Sequence, residues 1–298
     1  MGMSLSKGQK LALDALDVTR PILIAGPTAA GKSDFALAAA RLTGGPVVNA
    51  DAIQVFADWR VLTARPTAQD EAAHPHALYG HVPGDHPYSA GRWLRDVTAY
   101  LGGPPPVIVG GTGLHFEVLT KGLADIPETP ADVRARADAL MARDGVEGLA
   151  AGLDPITASR LDLKNPARVQ RAWEVQQTTG RGMASWQDDT PPPLLAEDAA
   201  TCIVLTIPPE RLTPRIERRL DLMLNGGAIE EAEANAPNWH PDLPSAKAIG
   251  AAELVAHIRG DLSLHEARTR MAVLTRQYAK RQRTFFRGRL KGWQEVAV

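Results

Sequence analysis

The octapeptide Gly26–Ser33, G-P-T-A-A-G-K-S, has the residue types and the spacing of a loop that binds phosphate groups. Its two glycines allow the backbone to turn where a Cβ would clash, so several N–H groups can point toward one anion. Lys32 adds a full positive charge, the start of a helix adds a partial one, and the hydroxyl of Ser33 can hold Mg²⁺. The sequence therefore predicts a site for a diphosphate or a triphosphate. The predicted diphosphate-binding residues are Gly26, Pro27, Thr28, Ala29, Ala30, Gly31, Lys32 and Ser33.

Two further polar residues follow strand-like segments. The phosphate loop follows the apolar run Pro21–Ala25, Asp51 follows Pro46–Asn49, and Thr112 follows Pro106–Val109. Because ligands of parallel sheets bind outside the carboxyl ends of the strands, we expect all three groups to face one pocket. That pocket would combine a diphosphate cradle, a hydroxyl and an acid that can accept a proton.

The acid that a P-loop nucleotide hydrolase carries at the end of a later strand is missing. The run Pro106–Val109 ends in Gly110–Thr112, and the run Thr201–Ile207 ends in two prolines. The nearest carboxylate in a suitable place is Asp51. This pattern argues against nucleotide hydrolysis and favours a transfer reaction in which diphosphate leaves.

The order of the elements predicts an α/β fold. A strand, the phosphate loop, a helix and a second strand make a βαβ unit and hence a parallel sheet. Residues from Pro127 to Pro193 are instead rich in alanine and arginine with helical periodicity. We expect a P-loop NTPase-like core, a parallel sheet flanked by helices, interrupted by an α-helical insertion. The predicted boundaries are 1–126 for the first part of the core, 127–195 for the insertion, and 196–298 for the rest of the core with basic C-terminal helices.

Several further elements are predicted from periodicity and turn residues. The predicted additional segments are a helix at Leu5–Val18, a strand at Leu78–Val82, and helices at Ala90–Leu101, Ala131–Gly152, Pro166–Thr179, Arg211–Leu224, Ala228–Asn235, Lys247–Arg259 and Leu264–Arg289.

The composition excludes several classes of protein. Of the 298 residues 44% are apolar, enough for a large core, and the formal net charge is −1. The single cysteine, Cys202, excludes a disulfide framework within the chain. No apolar run reaches the length of a membrane span, and the first residues lack the core of a signal peptide. We therefore expect a soluble, cytoplasmic protein with no membrane partner.

Charge is unevenly distributed along this nearly neutral chain. The segment from Arg268 to Lys291 contains nine lysines and arginines and no acid, with Tyr278, Phe285 and Phe286 among them. Such a segment is either a solvated helix face or a surface that contacts a polyanion such as nucleic acid.

Several motifs, in order along the chain, resemble those of the tRNA dimethylallyltransferases, also called tRNA isopentenyltransferases. The motifs that carry the resemblance are Gly26–Ser33, Asn49–Phe56, Arg65–Thr67, Tyr88–Ala90, Val109–Phe116 and Thr275–Gln282, with further matches at Asp154, at Arg168–Arg171 with Glu174, and at Asp242–Ser245 with Lys247 and Gly250. The resemblance runs from about Pro21 to Gly288. It is to the bacterial type, since no Cys/His pairs of a zinc finger follow.

The resemblance implies transfer of a dimethylallyl group from dimethylallyl diphosphate to N6 of adenosine 37. This adenosine lies 3′ of the anticodon in tRNAs that read codons beginning with U. The phosphate loop would then hold the diphosphate of the prenyl donor, with Mg²⁺ at Ser33. The resemblance assigns Asp51 as general base, Thr112 as the hydroxyl that orients it and the base, and Arg219 as the cation that stabilises the leaving diphosphate. The tRNA anticodon stem-loop is the implied partner, and a monomer suffices.

The residues predicted to contact tRNA form several short groups. They are Asp51, Ala52, Ile53, Gln54, Thr112, Arg134, Ala167, Arg168, Val169, Gln170, Arg171, Lys247, Ala248, Ile249, Gly250, Ala251 and Ala252, to which the basic segment adds Lys280 and Arg283. Three positions depart from the family pattern. Ala52 stands where serine is usual, Phe56 where tyrosine is usual, and Ala251 where an aromatic residue is common.

Three other functions are compatible with parts of the pattern. A small-molecule kinase would use the same loop and helix arginines, although the acid-free segment and the Gly-Gly-Thr turn suit it poorly. Prenyl transfer to free AMP would use the same donor site. A non-catalytic RNA-binding protein with a vestigial loop would not need Lys32, Ser33, Asp51 and Thr112 together.

Overall fold

A six-stranded parallel sheet forms the centre of the larger of two compact units. The computed structural model describes residues 5–298. The strands are β1 Ile22–Ala25, β2 Val47–Asn49, β3 His76–Ala77, β4 Val107–Gly110, β5 Thr201–Thr206 and β6 Gln294–Ala297. Their order is β3-β2-β4-β1-β5-β6, and every neighbouring pair is parallel. The predicted α/β fold with a parallel sheet is confirmed.

Helices make up most of the rest of the described chain. They are α1 Lys7–Asp14, α2 Lys32–Thr43, α3 Ala68–Ala73, α4 Ala90–Thr98, α5 Gly113–Lys121, α6 Ala131–Ala150, α7 Pro155–Arg160, α8 Pro166–Thr179, α9 Met183–Asp188, α10 Pro209–Leu224, α11 Ala228–Asn235, α12 Ala251–Ile258 and α13 Leu264–Arg289. Short 3₁₀ turns lie at Glu197–Ala199 and Pro244–Lys247. Within the described residues, no helix has both the length and the apolar character that crossing a bilayer requires.

The central strands have no polar face because helices cover both sides of the sheet. All four residues of β1 and of β4 are buried. On the same unit, α13 begins with a capping box in which Ser263 and Glu266 each accept from the other's backbone N–H. Its buried residues recur every three or four positions, so one face of this long helix packs against the core.

The smaller unit comprises Lys121–Pro193, and the larger unit comprises the residues up to Thr120 together with Leu194–Val298. The smaller unit is helical and has its own core of buried residues from α6 and α8. These are Val133, Ala137, Leu149, Val169 and Trp173. Burying each large apolar side chain stabilises such a core by about 1.5–3 kcal/mol.

Three of the predicted elements are wrong in place or extent. The helix predicted at Leu5–Val18 spans only Lys7–Asp14. The predicted strand Leu78–Val82 does not form, because Leu78 has a φ of 61° and Gly80 a φ of 56°, which turn the chain out of the sheet. The strand lies at His76–Ala77 instead, and Val82 makes a single bridge to Phe56. The predicted helix Lys247–Arg259 begins only at Ala251, because Gly250 adopts a φ of 101°.

Candidate active site

The phosphate loop connects the buried end of β1 to the first turn of α2. Its shape requires a left-handed backbone at Gly31, with a φ of 77°, and at Ala29, with a φ of 61°. A Cβ on Gly26 would lie 3.0 Å from the Cβ of Leu205, so a side chain there would press on the neighbouring strand. The backbone N–H groups of Ala29, Gly31, Lys32 and Ser33 donate to no acceptor in the described part of the chain. These donors and the helix N-terminus suit an anion.

Lys32 and Arg219 bring positive charge to this loop. The ammonium of Lys32 donates to the carbonyl of Pro27 at 2.9 Å. Burial is the main reason that the pKa of Lys32 is lowered to about 8; the charge of Asp51 opposes this shift, and the charge of Arg219 adds to it. Burial likewise lowers the pKa of Arg219, whose Nη2 lies 3.5 Å from the carbonyl of Thr63. The structure thus brings Lys32, Arg219 and Asp51 into one electrostatic cluster, although no ion pair forms among these described residues.

Asp51 is held by its own turn after β2. One carboxylate oxygen, Oδ1, accepts the N–H of Ile53 at 3.0 Å. The fully buried Asn49 accepts the N–H of Asp51 at 2.8 Å and donates to its carbonyl at 2.9 Å. The other oxygen, Oδ2, faces Gly111, where a Cβ would lie 3.0 Å away. No donor in the described part of the chain forms a hydrogen bond to this oxygen.

Thr112 ties the turn after β4 to the turn after β2. Its hydroxyl oxygen accepts the N–H of Ala52 at 2.9 Å, and its backbone N–H donates to the carbonyl of Ala50 at 3.3 Å. The hydroxyl still carries a proton that it can donate, and the phenol of Tyr278 lies beside it. Since only the backbone of Ala52 is used, the departure from serine at this position leaves the contact to Thr112 intact.

Gln282 is a site residue to which the sequence reasoning assigned no role. Its Oε1 accepts the N–H of Thr28 in the phosphate loop at 2.9 Å, and its Nε2 donates to the carbonyl of Gly111 at 2.9 Å. The neighbouring Tyr278 has its pKa raised by burial first and by Asp51 second, and its phenol lies beside the side chains of Thr112 and Gln282. The signal in the sequence was its place at the end of the motif Thr275–Gln282, and Gln282 and Thr275 are the polar residues on the buried face of α13.

A second group of residues that the sequence did not indicate supports the position of Asn49. Trp93 donates its indole N–H to the carbonyl of Asn49 at 2.7 Å. His115 stacks on Trp93 with ring centroids 4.4 Å apart. Burial lowers the pKa of His115 to about 4, so the ring is neutral at pH 7. These two buried aromatic rings make the surroundings of the turn that carries Asp51 apolar.

The residues predicted to contact tRNA fall into exposed and buried groups. Arg134, Ala167, Arg168, Lys247, Ala252 and Lys280 are exposed, whereas Ala52, Ile53, Gln54, Gln170, Arg171, Ile249 and Arg283 are partly buried. Val169, Ala248, Gly250 and Ala251 are buried, so their side chains serve the packing and present no surface to a ligand. At Gly250 a Cβ would lie 2.6 Å from Met271, which explains the glycine by close packing. Phe56, at 3% exposure, lies in an apolar cluster where a tyrosine hydroxyl would be buried.

In the helical unit, two of the predicted RNA-contacting arginines share one buried acid. Glu174 is 2% exposed, and its Oε2 lies 3.1 Å from Arg134 Nη2 and 3.8 Å from Arg171 Nη1. Gln170 donates to the other oxygen of Glu174 at 3.2 Å. Arg134 therefore hydrogen-bonds to a carboxylate that has almost no contact with water. Arg171 lies within ion-pairing distance of the same carboxylate and donates its hydrogen bond to Thr129.

The basic segment on α13 is partly neutralised by acids that come from other helices. Arg268 pairs with Asp221 at 2.7 Å, and Arg276 pairs with Glu217 at 3.5 Å. Arg289 pairs with Glu117. Lys280 is exposed and Arg283 partly exposed, and neither makes an ion pair in the described part of the chain. Only a subset of the basic residues is therefore left to meet a polyanion.

The fold and the site together define a protein of the P-loop NTPase-like class, with a phosphate loop after β1, an acid after β2, and no acid after β4. Comparison with known proteins narrows this class. The family model for IPP transferase matches residues 54–289, and the model for isopentenyl transferase matches residues 20–74. The chain belongs to the IPP transferase family.

Named relatives and solved structures agree with this assignment. The chain is 56% identical over 288 residues to the tRNA dimethylallyltransferase of Ruegeria sp. (strain TM1040), covering 96% of this chain and 99% of that protein. It is similar to the structure of the tRNA isopentenylpyrophosphate transferase from Bacillus halodurans, with a TM-score of 0.65, 29% identity, and coverage of 94% and 90% of the two chains. The fold also matches a eukaryotic dimethylallyltransferase acting on tRNA, with a TM-score of 0.80, 24% identity, and coverage of 93% and 73%.

Proposed function

We propose that this enzyme transfers the dimethylallyl group of dimethylallyl diphosphate to N6 of adenosine 37 in tRNAs that read codons beginning with U. The products are N6-dimethylallyladenosine in the tRNA and diphosphate. The observation that carries the proposal is the placement of Asp51 Oδ2 beside Gly111, at the same sheet edge as the phosphate loop and its two cations. The names of the relatives, which are tRNA dimethylallyltransferases, support tRNA as the acceptor.

On the donor side, the reaction breaks the bond between allylic C1 and the diphosphate oxygen. The diphosphate takes the electron pair and gains negative charge as it leaves. The unpaired loop N–H groups, Lys32 and Arg219 stabilise that charge, because they are already oriented and need no reorganisation during the step. Burial makes each of these interactions stronger than it would be in water.

On the acceptor side, the adenine amino group is a poor nucleophile because its lone pair is delocalised into the ring. Its nitrogen forms the new bond to C1 while Asp51 Oδ2 removes its proton. General-base catalysis of this kind contributes about two to four powers of ten in rate. Thr112, whose oxygen is fixed by the N–H of Ala52, can donate its proton to the carboxylate or to the adenine ring.

Mg²⁺ is the cofactor that the donor site fits best. The hydroxyl of Ser33 is exposed in the first turn of α2 and makes no hydrogen bond in the described part of the chain. The described residues contain no cluster of three or more histidine, cysteine or acidic side chains able to hold a metal. Ser33 would therefore share the ion with diphosphate oxygens and water, as Mg²⁺ prefers. When bound, Mg²⁺ supplies charge that stabilises the leaving diphosphate.

The tRNA must present adenosine 37 outside the anticodon-loop stack. Unstacking costs a few kcal/mol, which contacts to the neighbouring nucleotides must offset. Exposed cations on the larger unit, Lys247 and Lys280, and on the smaller unit, Arg134 and Arg168, supply sequence-independent contacts to phosphates. We further propose that the enzyme acts in the cytoplasm as a monomer, since one chain carries the complete set of site residues.

The test is mass analysis of the anticodon-loop nucleosides after incubation with tRNA, dimethylallyl diphosphate and Mg²⁺. We expect a dimethylallyl adduct on adenosine 37 and no adduct on a tRNA with guanosine at this position. AMP as acceptor and ATP as donor serve as the control reactions and should give negligible product. Phosphoryl transfer from ATP, or prenylation of AMP without that of tRNA, would overturn the proposal.

A further inference from the structure

We propose that Gln282 is a positioning residue that fixes the phosphate loop relative to the Gly110–Thr112 turn, and so sets the distance between the donor and the acceptor. This inference rests on the proposed function. Its two hydrogen bonds go to backbone groups, so it acts through Thr28, on the donor side, and through Gly111, on the acceptor side.

The sheet cannot set this distance by itself. Strands β1 and β4 are paired up to Ala25 opposite Gly110. Beyond that rung, the two segments that carry the chemistry separate into the phosphate loop and the Gly-Gly-Thr turn. Gln282 is the only side chain in the described part of the chain that hydrogen-bonds to both segments. Gln282 therefore connects the two segments at the point where the backbone hydrogen bonds between β1 and β4 have ended.

Glutamine is suited to this place because its amide presents an acceptor and a donor on one plane. The N–H of Thr28 requires an acceptor, and the carbonyl of Gly111 requires a donor, so the orientation of the amide is fixed by its two partners. Gln282 is 5% exposed, and water has little access to replace either bond. The fit is tight, since a Cβ at position 111 would lie 2.2 Å from Nε2. Glycine at 111 and glutamine at 282 thus depend on each other.

The helix that carries Gln282 is well placed to hold a fixed position. On α13, Thr275 and Ala279 precede it and Phe286 follows it on the same buried face. The engaged N–H belongs to Thr28, whereas Ala29, Gly31, Lys32 and Ser33 keep theirs for the anion. Gln282 therefore shapes the loop without competing with the diphosphate. A displacement of about 1 Å between reacting groups can reduce a rate by about a hundred-fold, so the loss of this link should affect the chemical step.

The experiment compares Gln282→Met, which keeps the length of the side chain and loses both bonds, with Gln282→Glu. The control is Gln294→Met, the same change at an exposed position on β6. For each protein, kcat and KM for dimethylallyl diphosphate are measured with tRNA in excess, together with the binding of inorganic diphosphate and the thermal midpoint. We expect kcat of Gln282→Met to fall by about a hundred-fold with a much smaller change in diphosphate binding. Gln294→Met should resemble the wild type.

The variant Gln282→Glu provides a measurement whose result would not change with pH if Gln282 had only a structural role. An ionised glutamate can accept from Thr28 but repels the carbonyl of Gly111, whereas a protonated glutamate can donate to it. The rate of Gln282→Glu relative to the wild type should therefore rise as the pH falls. The charged and titratable groups around the site, Lys32, Asp51, Arg219 and Tyr278, are the same in both proteins, so the ratio largely removes their contribution.

Two results would overturn the inference. One is a kcat for Gln282→Met within about two-fold of the wild type. The other is a joint loss of diphosphate binding, thermal midpoint and rate, with no pH dependence of the Gln282→Glu ratio, which would describe a residue needed only for folding. If the wild-type protein itself fails to prenylate tRNA in this assay, the proposed function is wrong, and the two failures are thereby distinguished.

Discussion

The site edge of the sheet and the helical insertion both concentrate arginine, lysine and acid, but they arrange these charges differently. At the sheet edge, Lys32 and Arg219 lie near one carboxylate, Asp51, without forming an ion pair. In the insertion, Arg134 and Arg171 converge on Glu174, which is almost completely buried. Each region therefore places two cations near one carboxylate, but ion pairs form only in the second.

At the sheet edge the cations have no ion-pair partner until a ligand binds. In the insertion the ion pairs stabilise the fold before any RNA binds. Bringing Lys32 out of water is unfavourable for its charged form, as its lowered pKa records. A bound diphosphate would offset that penalty, so the unfavourable arrangement is useful only in a binding site. Glu174 compensates part of the charge of Arg134 and Arg171 within the protein, and these contacts persist without any ligand.

The largest effect should come from Asp51, the only acid of the sheet-edge cluster. Asp51→Asn keeps the shape and the hydrogen bond from Ile53 but removes the base. We expect kcat for prenyl transfer to fall by about two to four powers of ten. Binding of tRNA, measured by filter retention, should change little, because the residue's role is proton removal. A variant with a near-normal rate would contradict the assignment of the base.

The next largest effect should come from Lys32. Loss of a charge-assisted contact to diphosphate in Lys32→Met should weaken binding of inorganic diphosphate by about ten- to a hundred-fold, as calorimetry in magnesium-free buffer would report. The pH dependence gives a second measure. With a pKa of about 8 in the free protein, Lys32 is protonated below this pH and must take up a proton to bind the anion above it. The affinity ratio of wild type to Lys32→Met should therefore fall as the pH rises through 8, and a constant ratio would argue against the contact.

The elements of the sheet-edge site that could be predicted from the sequence are the local ones. The phosphate loop, Asp51 and Thr112 each follow a strand-like run by a few residues, so their meeting at one edge follows from the parallel sheet. The role of Gln282 could not be read this way. Its two hydrogen bonds join residues 254 and 171 positions apart along the chain, and nothing in local periodicity encodes them.

The errors in the predicted strand Leu78–Val82 and in the predicted helix Lys247–Arg259 also result from interactions that are not local in the sequence. Leu78 and Gly250 both turn the chain through positive φ, which depends on packing that surrounds them in the folded protein. The basic segment Arg268–Lys291 contains no acid of its own, but Asp221 and Glu217 reach it from α10. Ion pairs between helices that are far apart in the sequence could therefore be identified only from the structure.

A substitution of Glu174 tests the ion-paired cluster in the helical insertion. Glu174→Gln keeps the size of the side chain but removes the charge that holds both arginines. We expect the free energy of unfolding to fall by about 1–3 kcal/mol, measured by urea denaturation, and the affinity for tRNA to fall several-fold. At saturating tRNA, kcat should be unchanged. Glu147→Gln, at an exposed position on α6, is the matched control and should leave both quantities near those of the wild type. A large loss of kcat would place Glu174 in the chemistry instead.

The smallest effect distinguishes paired from unpaired cations within α13. Lys280→Ala removes an exposed charge without an ion pair in the described chain, and Arg276→Ala removes one that already pairs with Glu217. If unpaired charge marks the RNA-binding surface, Lys280→Ala should lower the slope of log affinity for tRNA against log salt by about one unit. Arg276→Ala should change the slope by less, because its charge is partly neutralised before RNA arrives. Equal slopes for the two variants would show that ion pairing inside the protein does not decide which cations meet the tRNA, and the comparison would then fail for this helix.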